Sequence, residues 1–460
     1  MNIYILGICG VFMGGLAILA RELGFHVSGA DKNIYPPMSD QLQSAGINID
    51  NEYSASIIAE NDPDLVLIGN ALSRGNPCVE YILNNNIPYK SGPEWLNEYV
   101  LKDKWVLAVA GTHGKTSTAS MLAWILSEAG KHPGYLIGGA PMNLDSSAKL
   151  GSSEYFVIEA DEYDTAFFDK RSKFLHYKPK TLILNNLEFD HADIFKDLNS
   201  IQLQFHHLIR IVPSTGRILL SDEPNLLEVI GKGCWSELSY MSKTKNKFPK
   251  WHIENQSEDR SSFKVNYKKN ISASTEVSQV KMSLIGEHNQ ANALSAIAAA
   301  HHIGISIGTS SIALSKFKGV KRRLEKLDTI KGINIFDDFA HHPSAISSTL
   351  SGLKSANKTG RILAVIESRS NTMKMGYHNS SLIDSLRNAD FVWWYHPEGA
   401  GFSKMKDLFR GNKKIKLFPS TDSIVESLLD ESIEGDDIVI MSNGSFNSIH
   451  NKIIHEMKNK

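Results

Sequence analysis

The feature that most constrains this chain is one short passage. An apolar run, Val106 to Ala110, enters Gly111-Thr112-His113-Gly114-Lys115-Thr116-Ser117 and leaves into a helix-forming segment from Thr118. A strand feeding a glycine-rich turn and then a helix aims backbone N–H groups and the positive helix end at one point. The lysine and hydroxyls placed there predict a nucleotide phosphate site, with the amine on the β/γ oxygens and a hydroxyl on Mg²⁺. The spacing departs from the longer GxxxxGK[ST] pattern, because Val109 stands where that pattern has its first glycine. Strands and helices alternate along most of the chain, the pattern of parallel α/β sheets.

A length of 460 residues suggests about three domains. Lysine and arginine number 49 against 50 acidic residues, for a net charge of −1. That balance excludes a basic nucleic-acid binder and an acidic disordered chain. Cys9, Cys78 and Cys234 are odd in number and far apart, so neither a disulfide framework nor a CxxC zinc site is expected, and the compartment is read as reducing and cytosolic. Ile3 to Ala20 is apolar enough to raise a membrane or signal segment. No basic residue precedes it, however, and Gly7, Gly10, Gly14 and Gly15 interrupt it. It divides into a strand, Asn2 to Leu6, a glycine turn and a helix to about Leu23, followed by a strand from His26 to Gly29 that ends at Asp31. A soluble βαβ opening, with no membrane insertion, is the expectation.

Three units follow, 1–102, 103–319 and 320–460. The first continues with a strand at Leu65 to Gly69. The second holds buried-type strands at Trp105 to Ala110, Tyr155 to Ile158 and Thr181 to Leu184. Its polar stretch, Gly231 to Val280, reads as a small antiparallel meander, and an Ala-rich helix from Asn289 to His302 closes it. After Lys321-Arg322-Arg323, strands fall near Ile333 to Phe336, Arg361 to Ile366, Phe391 to Tyr395 and Asp437 to Met441.

Further motifs sit at the ends of these strands. Glu159-Ala-Asp161-Glu162-Tyr-Asp164 is either a solvated acidic turn or, beside a phosphate loop, a source of hard oxygen ligands for Mg²⁺. Asp190-His191 follows the next strand, and Gly286-Glu287-His288-Asn289-Gln290-Ala291-Asn292 opens the Ala-rich helix. At the N-terminus, Gly7-Ile-Cys9-Gly10-Val-Phe12 is not GxGxxG, since Cys9 and Phe12 hold glycine positions. Asp31 nevertheless stands near where a ribose-binding acid would sit, so a nicotinamide dehydrogenase is a rival reading. A second, separate phosphate loop argues against it.

Gly111 to Ser117 resembles the shorter GTxGKT[ST] loop of the muramyl ligase family, ATP-dependent enzymes that join amino acids or peptides to UDP-N-acetylmuramic acid. The resemblance covers essentially all 460 residues. It implies three α/β domains: a Rossmann-like UDP-sugar domain, a central P-loop ATPase-type domain with a small β subdomain, and a Rossmann-like C-terminal domain for the incoming peptide. It implies that Gly111, Thr112, His113, Gly114, Lys115, Thr116 and Ser117 hold the ATP phosphates, that Lys115, Glu159 and His191 are catalytic, and that Thr116, Glu159 and His191 ligate Mg²⁺. His288, Asn289 and Asn292 fall to the adenine side by the GxHNxxNAxAA pattern. Arg322 is expected to contact phosphate on closure, as are Asp337 and His341 in a segment that resembles DDYAHHP. The UDP diphosphate is expected on Gly7, Cys9 and Gly10, with Asp31 and Asn70 in the same pocket. Some relatives carry a carbamylated lysine about fourteen residues beyond the histidine; here Gln204-Phe205 stand there, so that group is not expected.

Several segments, among them Gly69-Asn-Ala-Leu-Ser-Arg-Gly-Asn-Pro and Glu367-Ser-Arg-Ser-Asn-Thr-Met-Lys-Met-Gly, are similar to the family branch that attaches recovered L-alanyl-γ-D-glutamyl-meso-diaminopimelate to UDP-N-acetylmuramate. The branch that adds L-alanine is the alternative. Tripeptide carboxylates call for basic partners, and Arg369, Ser370 and Asn371 are expected to read the peptide, with Lys170, Arg171, Lys173 and Lys374 as further basic positions. The implied reaction passes through an acyl phosphate and needs no dedicated strong base, because an α-amino group has a pKa of about 7.7–8.0. A monomer or weak dimer is expected.

Overall fold

The computed structural model describes residues 1–192, 194–241, 250–367, 369, 379–399 and 401–460. Among the described residues three large sheets and one two-stranded hairpin, Asp164–Ala166 with Asp169–Ser172, carry the chain. In the first, five parallel strands run in the order Asn48–Asp50, His26–Ala30, Asn2–Leu6, Leu65–Ile68, Tyr89–Ser91. Ile3, Tyr4, Ile5 and Leu6 are buried on both faces, as a central parallel strand requires. The chain leaves Asn2–Leu6 to one side for its second strand and to the other for Leu65–Ile68, which makes a topological switch point beside Gly7. The apolar run at the N-terminus is thus a strand and a twelve-residue helix, Val11–Glu22. Among the described residues no helix is long and apolar enough to cross a membrane.

The second sheet has ten strands, with Trp105–Ala110 between Thr181–Leu184 and Tyr155–Glu159, all parallel. The polar stretch after residue 231 does form an antiparallel ladder, Lys250–Asn255, Ser262–Lys268 and Glu276–Lys281. Glu237–Met241 pairs in parallel with Arg217–Ser221 and then with Lys250–Asn255, so the ladder extends the central sheet. Trp251, Phe263, Val265 and Tyr267 bury into the same core as Leu107 and Val109, and that shared apolar face joins the two parts.

The third sheet has six strands in the order Glu325–Ile330, Ile333–Asp338, Asp437–Met441, Ile362–Glu367, Phe391–Tyr395, Ile415–Phe418. Its first pair is antiparallel and the rest are parallel. Apolar layers lie on both faces of this sheet, around Ile366 and Trp394 on one side and Val365 and Trp393 on the other. The first and second sheets share one core instead. Helix Val11–Glu22 packs Leu16 and Leu19 into a cluster that also contains Leu136, Phe156 and Leu182.

Candidate functional site

The phosphate loop lies between the central strand Trp105–Ala110 and helix Lys115–Glu128. The helix begins at Lys115, three residues before the start expected from sequence, because Gly114 turns the chain at φ +79°. Only glycine suits that position: the left-handed backbone disfavours a side chain, and a Cβ there would collide with Asn292 Oδ1. Lys115 Nζ donates to Gly111 O at 2.7 Å and to Glu162 Oε2 at 2.9 Å.

Val109 is paired with Glu159 in the adjacent parallel strand, and this register sets the acidic motif beside the loop. Glu159 accepts from Thr116 Oγ1 at 3.0 Å and from the Gly138 N–H at 2.8 Å. Burial raises its pKa, with the Lys115 charge opposing. Glu162, buried and 2 % exposed, is the hub that sequence reasoning missed. It bridges Lys115 to His191 Nε2 at 3.1 Å, while His191 Nδ1 meets the Tyr163 hydroxyl at 2.6 Å. Burial works against the Glu162 carboxylate, but Lys115 and His191 prevail and hold its pKa below the usual range. Burial likewise opposes the His191 and Lys115 charges, and Glu162 overcomes it in both cases, raising their pKa values. Four carboxylates in six residues announced the site; which of them turns inward depends on the fold.

The third sheet closes the site, and here two expectations need correction. Arg322 does not line the cavity. Its guanidinium donates to Ser442 O and Gly444 O, both at 2.7 Å, and its Nε lies 3.3 Å from Asp337. Asp337 also faces His450 at 3.0 Å. Their immediate neighbours face the cavity instead: Arg323 Nη2 donates to Thr116 Oγ1 at 3.3 Å, and Asp338 lines the same space. Side chains alternate along a strand, so Asp337 and Asp338 must point to opposite faces. Burial pushes the Asp338 carboxyl up to about 6, with Arg323 opposing. His341 lines the cavity with its Nδ1 2.8 Å from Phe339 O.

The cavity measures about 700 Å³. Thr112, His113, Gly114, Lys115, Thr116, Ser117, Glu159 and His191 all line it. So do His288, Asn289 and Asn292, although the two amides also brace structure. Asn289 donates to Ile285 O at 2.9 Å, and Asn292 Oδ1 accepts from the Thr118 hydroxyl at 3.1 Å. Burial, then the Arg323 charge, lowers the His288 pKa to about 4. Trp251, His252 and Ile253 come from the ladder that extends the sheet, and no motif marked them. His113, Glu188 and His342 bring their ligand atoms within 4.8 Å of one another across the domain junction, and Ser344 Oγ donates to Glu188 at 2.7 Å.

The N-terminal turn is separate. Gly7, Asp31 and Asn70 follow the C-terminal ends of three adjacent parallel strands, with Cys9 and Gly10 in the turn itself. Asp31 is engaged by this turn, accepting from the Cys9 N–H at 3.0 Å and the Asn33 N–H at 2.9 Å. Its carboxylate thus braces the backbone of the turn. In the third domain Arg369 is 3.9 Å from Glu367 and packs over Gly444. Ser370, Asn371 and Lys374 lie outside the described residues.

Comparison with known proteins agrees across the whole chain. Residues 2–103 match the Mur ligase family catalytic domain, 109–300 the Mur ligase middle domain, and 322–444 the Mur ligase glutamate ligase domain. A UDP-N-acetylmuramate–L-alanyl-γ-D-glutamyl-meso-2,6-diaminoheptandioate ligase of Escherichia coli K12 is 50 % identical, over 100 % of this chain and 99 % of the relative. A UDP-N-acetylmuramate–L-alanine ligase of Caldanaerobacter subterraneus is 30 % identical over 99 % and 98 % of the two chains. The crystal structure of a murein peptide ligase from Psychrobacter arcticus superposes with a TM-score of 0.78 at 46 % identity, covering 100 % of this chain and 99 % of that one.

Proposed function

The chain belongs to the Mur ligase family, and from that premise we propose how it works as an ATP-dependent amide ligase joining L-alanyl-γ-D-glutamyl-meso-diaminopimelate to UDP-N-acetylmuramate. One observation carries the choice of peptide: full-length identity of 50 % to a ligase named for that tripeptide, against 30 % to one named for L-alanine. The dehydrogenase reading is set aside.

We assign UDP-sugar binding to residues 1–102, ATP binding to 103–319 and peptide binding to 320–460. The phosphate loop receives ATP, with Lys115 and Arg323 facing the transferred phosphoryl group. Their charges offset the negative charge that spreads over its oxygens. The lactyl carboxylate of the sugar attacks the γ-phosphorus, ADP leaves, and an acyl phosphate results. The free amine of the tripeptide's alanine then attacks the acyl carbon, loses a proton to solvent, and expels phosphate. Glu162 orients Lys115 and His191, while Thr116 and Glu159 stand together at the helix N-terminus. Their paired hard oxygens fit a Mg²⁺ ion, and His191 would hold a second by giving up Glu162 or the Tyr163 hydroxyl at one ring nitrogen. Such an ion supplies charge neutralisation to the phosphates. Closure of the third domain, through Arg323 on the loop and Ser344 on Glu188, excludes water from the acyl phosphate. Three free cysteines suit a reducing cytoplasm.

The test is phosphate release with ATP, Mg²⁺ and UDP-N-acetylmuramate, offering tripeptide and L-alanine in separate reactions. Turnover with tripeptide and little with alanine is expected. Turnover with alanine alone would overturn the choice of peptide and leave the site chemistry standing.

A further inference from the structure

The basic residues after the acidic motif are of two kinds. Lys170 and Arg171 are exposed, and each pairs with a nearby carboxylate, Asp164 at 2.6 Å and Asp169 at 2.7 Å. Lys173 is buried, its side chain 9 % exposed. An ammonium has three N–H donors. Among the described residues its one polar partner is Asp161 Oδ2 at 3.4 Å, near the limit of a hydrogen bond. Otherwise it faces two rings, Phe12 at 5.4 Å and Tyr163 at 5.7 Å. Aromatic faces at that range offset only part of the cost of taking a cation out of water. The ammonium is short of acceptors where water is scarce.

Its position is as telling as its partners. Phe12 is the second residue of the helix that leaves the Gly7–Gly10 turn, while Asp161 and Tyr163 line the cavity with Lys115 and Glu159. The hairpin Asp164–Ala166 and Asp169–Ser172, which runs directly into Lys173, packs against the first domain. Phe167 joins that domain's core, and Phe168 meets Tyr89 edge-on at 5.1 Å. Lys173 therefore stands on the seam between the N-terminal turn and the phosphate loop. A nucleotide sugar held at the turn must send its carboxylate across this seam to reach the γ-phosphate. Lys115 already places two of its three donors on Gly111 O and Glu162, and the reaction proposed above commits the third to the transferred phosphoryl group.

We propose that Lys173 grips the lactyl carboxylate of UDP-N-acetylmuramate and aims it at ATP, an inference that rests on the reaction proposed above. In the free protein Asp161 stands loosely in place of the substrate's carboxylate. The substrate supplies the acceptor that the buried ammonium lacks, and the nucleotide and sugar are recognised elsewhere.

The experiment compares two ligands on two proteins. UDP-N-acetylglucosamine is the same nucleotide sugar without the lactyl group, so the difference between it and UDP-N-acetylmuramate isolates the carboxylate. Calorimetric binding is measured with ADP and Mg²⁺ present. Wild type prefers UDP-N-acetylmuramate, and Lys173→Met loses about tenfold or more of that preference, the scale of a charge-assisted hydrogen bond. Its affinity for UDP-N-acetylglucosamine and for ADP stays at the wild-type value, which a merely structural role would not leave intact. In turnover, KM for UDP-N-acetylmuramate rises and KM for ATP does not. Lys173→Gln is read on the same scale if the methionine variant does not fold. A variant that keeps the full preference overturns the inference while the proposed reaction stands. Wild type that binds neither sugar nucleotide overturns the reaction, and the inference with it.

Discussion

Two glycine turns in this molecule begin alike and end differently. Both follow a buried parallel strand and lead into a helix, Gly7 at φ +78° and Gly114 at φ +79°. The first is wired to its own sheet: Asp31 from the next strand takes the Cys9 N–H, and no lysine or hydroxyl follows within the turn. The second is wired to three separate stretches of chain. Glu159 and Glu162 come from the neighbouring strand end, His191 from the next loop, and Arg323 from the far side of a domain boundary. A glycine turn supplies oriented N–H groups; charge has to be brought to it. In the reaction proposed above, the first turn holds an anion and the second changes one.

The contrast is broken most severely at the second turn. Lys115→Ala is expected to lower kcat for phosphate release by about a thousandfold. A loss under tenfold would refute its role as the principal cation on the transferred group. The arginine pair sharpens the same comparison. Arg323→Ala should lower kcat by about a hundredfold. Arg322→Ala should instead leave kcat near wild type and lower unfolding free energy by about 1–2 kcal/mol, since it gives up two carbonyl partners. The opposite pattern in steady-state kinetics and thermal melts would return the phosphate contact to Arg322.

A pH titration reads the burial of the second site. The His288 imidazole falls from 6.5 to about 4 on folding, so between these values the unfolded chain takes up a proton that the folded one refuses. The neutral ring's contribution is full above pH 6.5 and is lost as pH falls through about 4, a change of about 3–4 kcal/mol. Urea unfolding of wild type and His288→Gln should show the gap between them closing over that window; parallel curves would contradict it. The smallest effect belongs to the first turn. Asp31→Asn, which weakens two backbone contacts, should reduce UDP-sugar affinity by about fivefold and leave KM for ATP unchanged.

Legibility followed burial. Trp105–Ala110, Thr181–Leu184, Phe391–Tyr395 and Asp437–Met441 have the bounds that their apolar runs suggest, because a strand covered on both faces must be apolar throughout. Glu325–Ile330 and Ile415–Phe418 lie at sheet edges, where polar residues are tolerated and the apolar signal is weak. The ladder of Trp251 and Phe263 was visible as strands but not as part of the central sheet, since the parallel pairing of Glu237–Met241 with Arg217–Ser221 and Lys250–Asn255 leaves no mark in residue type.

Sequence by itself determined the parallel α/β class, the phosphate loop, the acidic and Asp-His motifs at strand ends, and the family to which they belong. These are local facts, carried by residue type and spacing over a few positions. Tertiary structure alone decided that Glu162 joins Lys115 to His191, that Arg323 and Asp338 rather than Arg322 and Asp337 face the cavity, and that Lys173 is buried while Lys170 and Arg171 are not. The physical reason is direction. A motif says which side chains are near one another along the chain, but one step along a strand reverses the face, and only packing settles which face is inside.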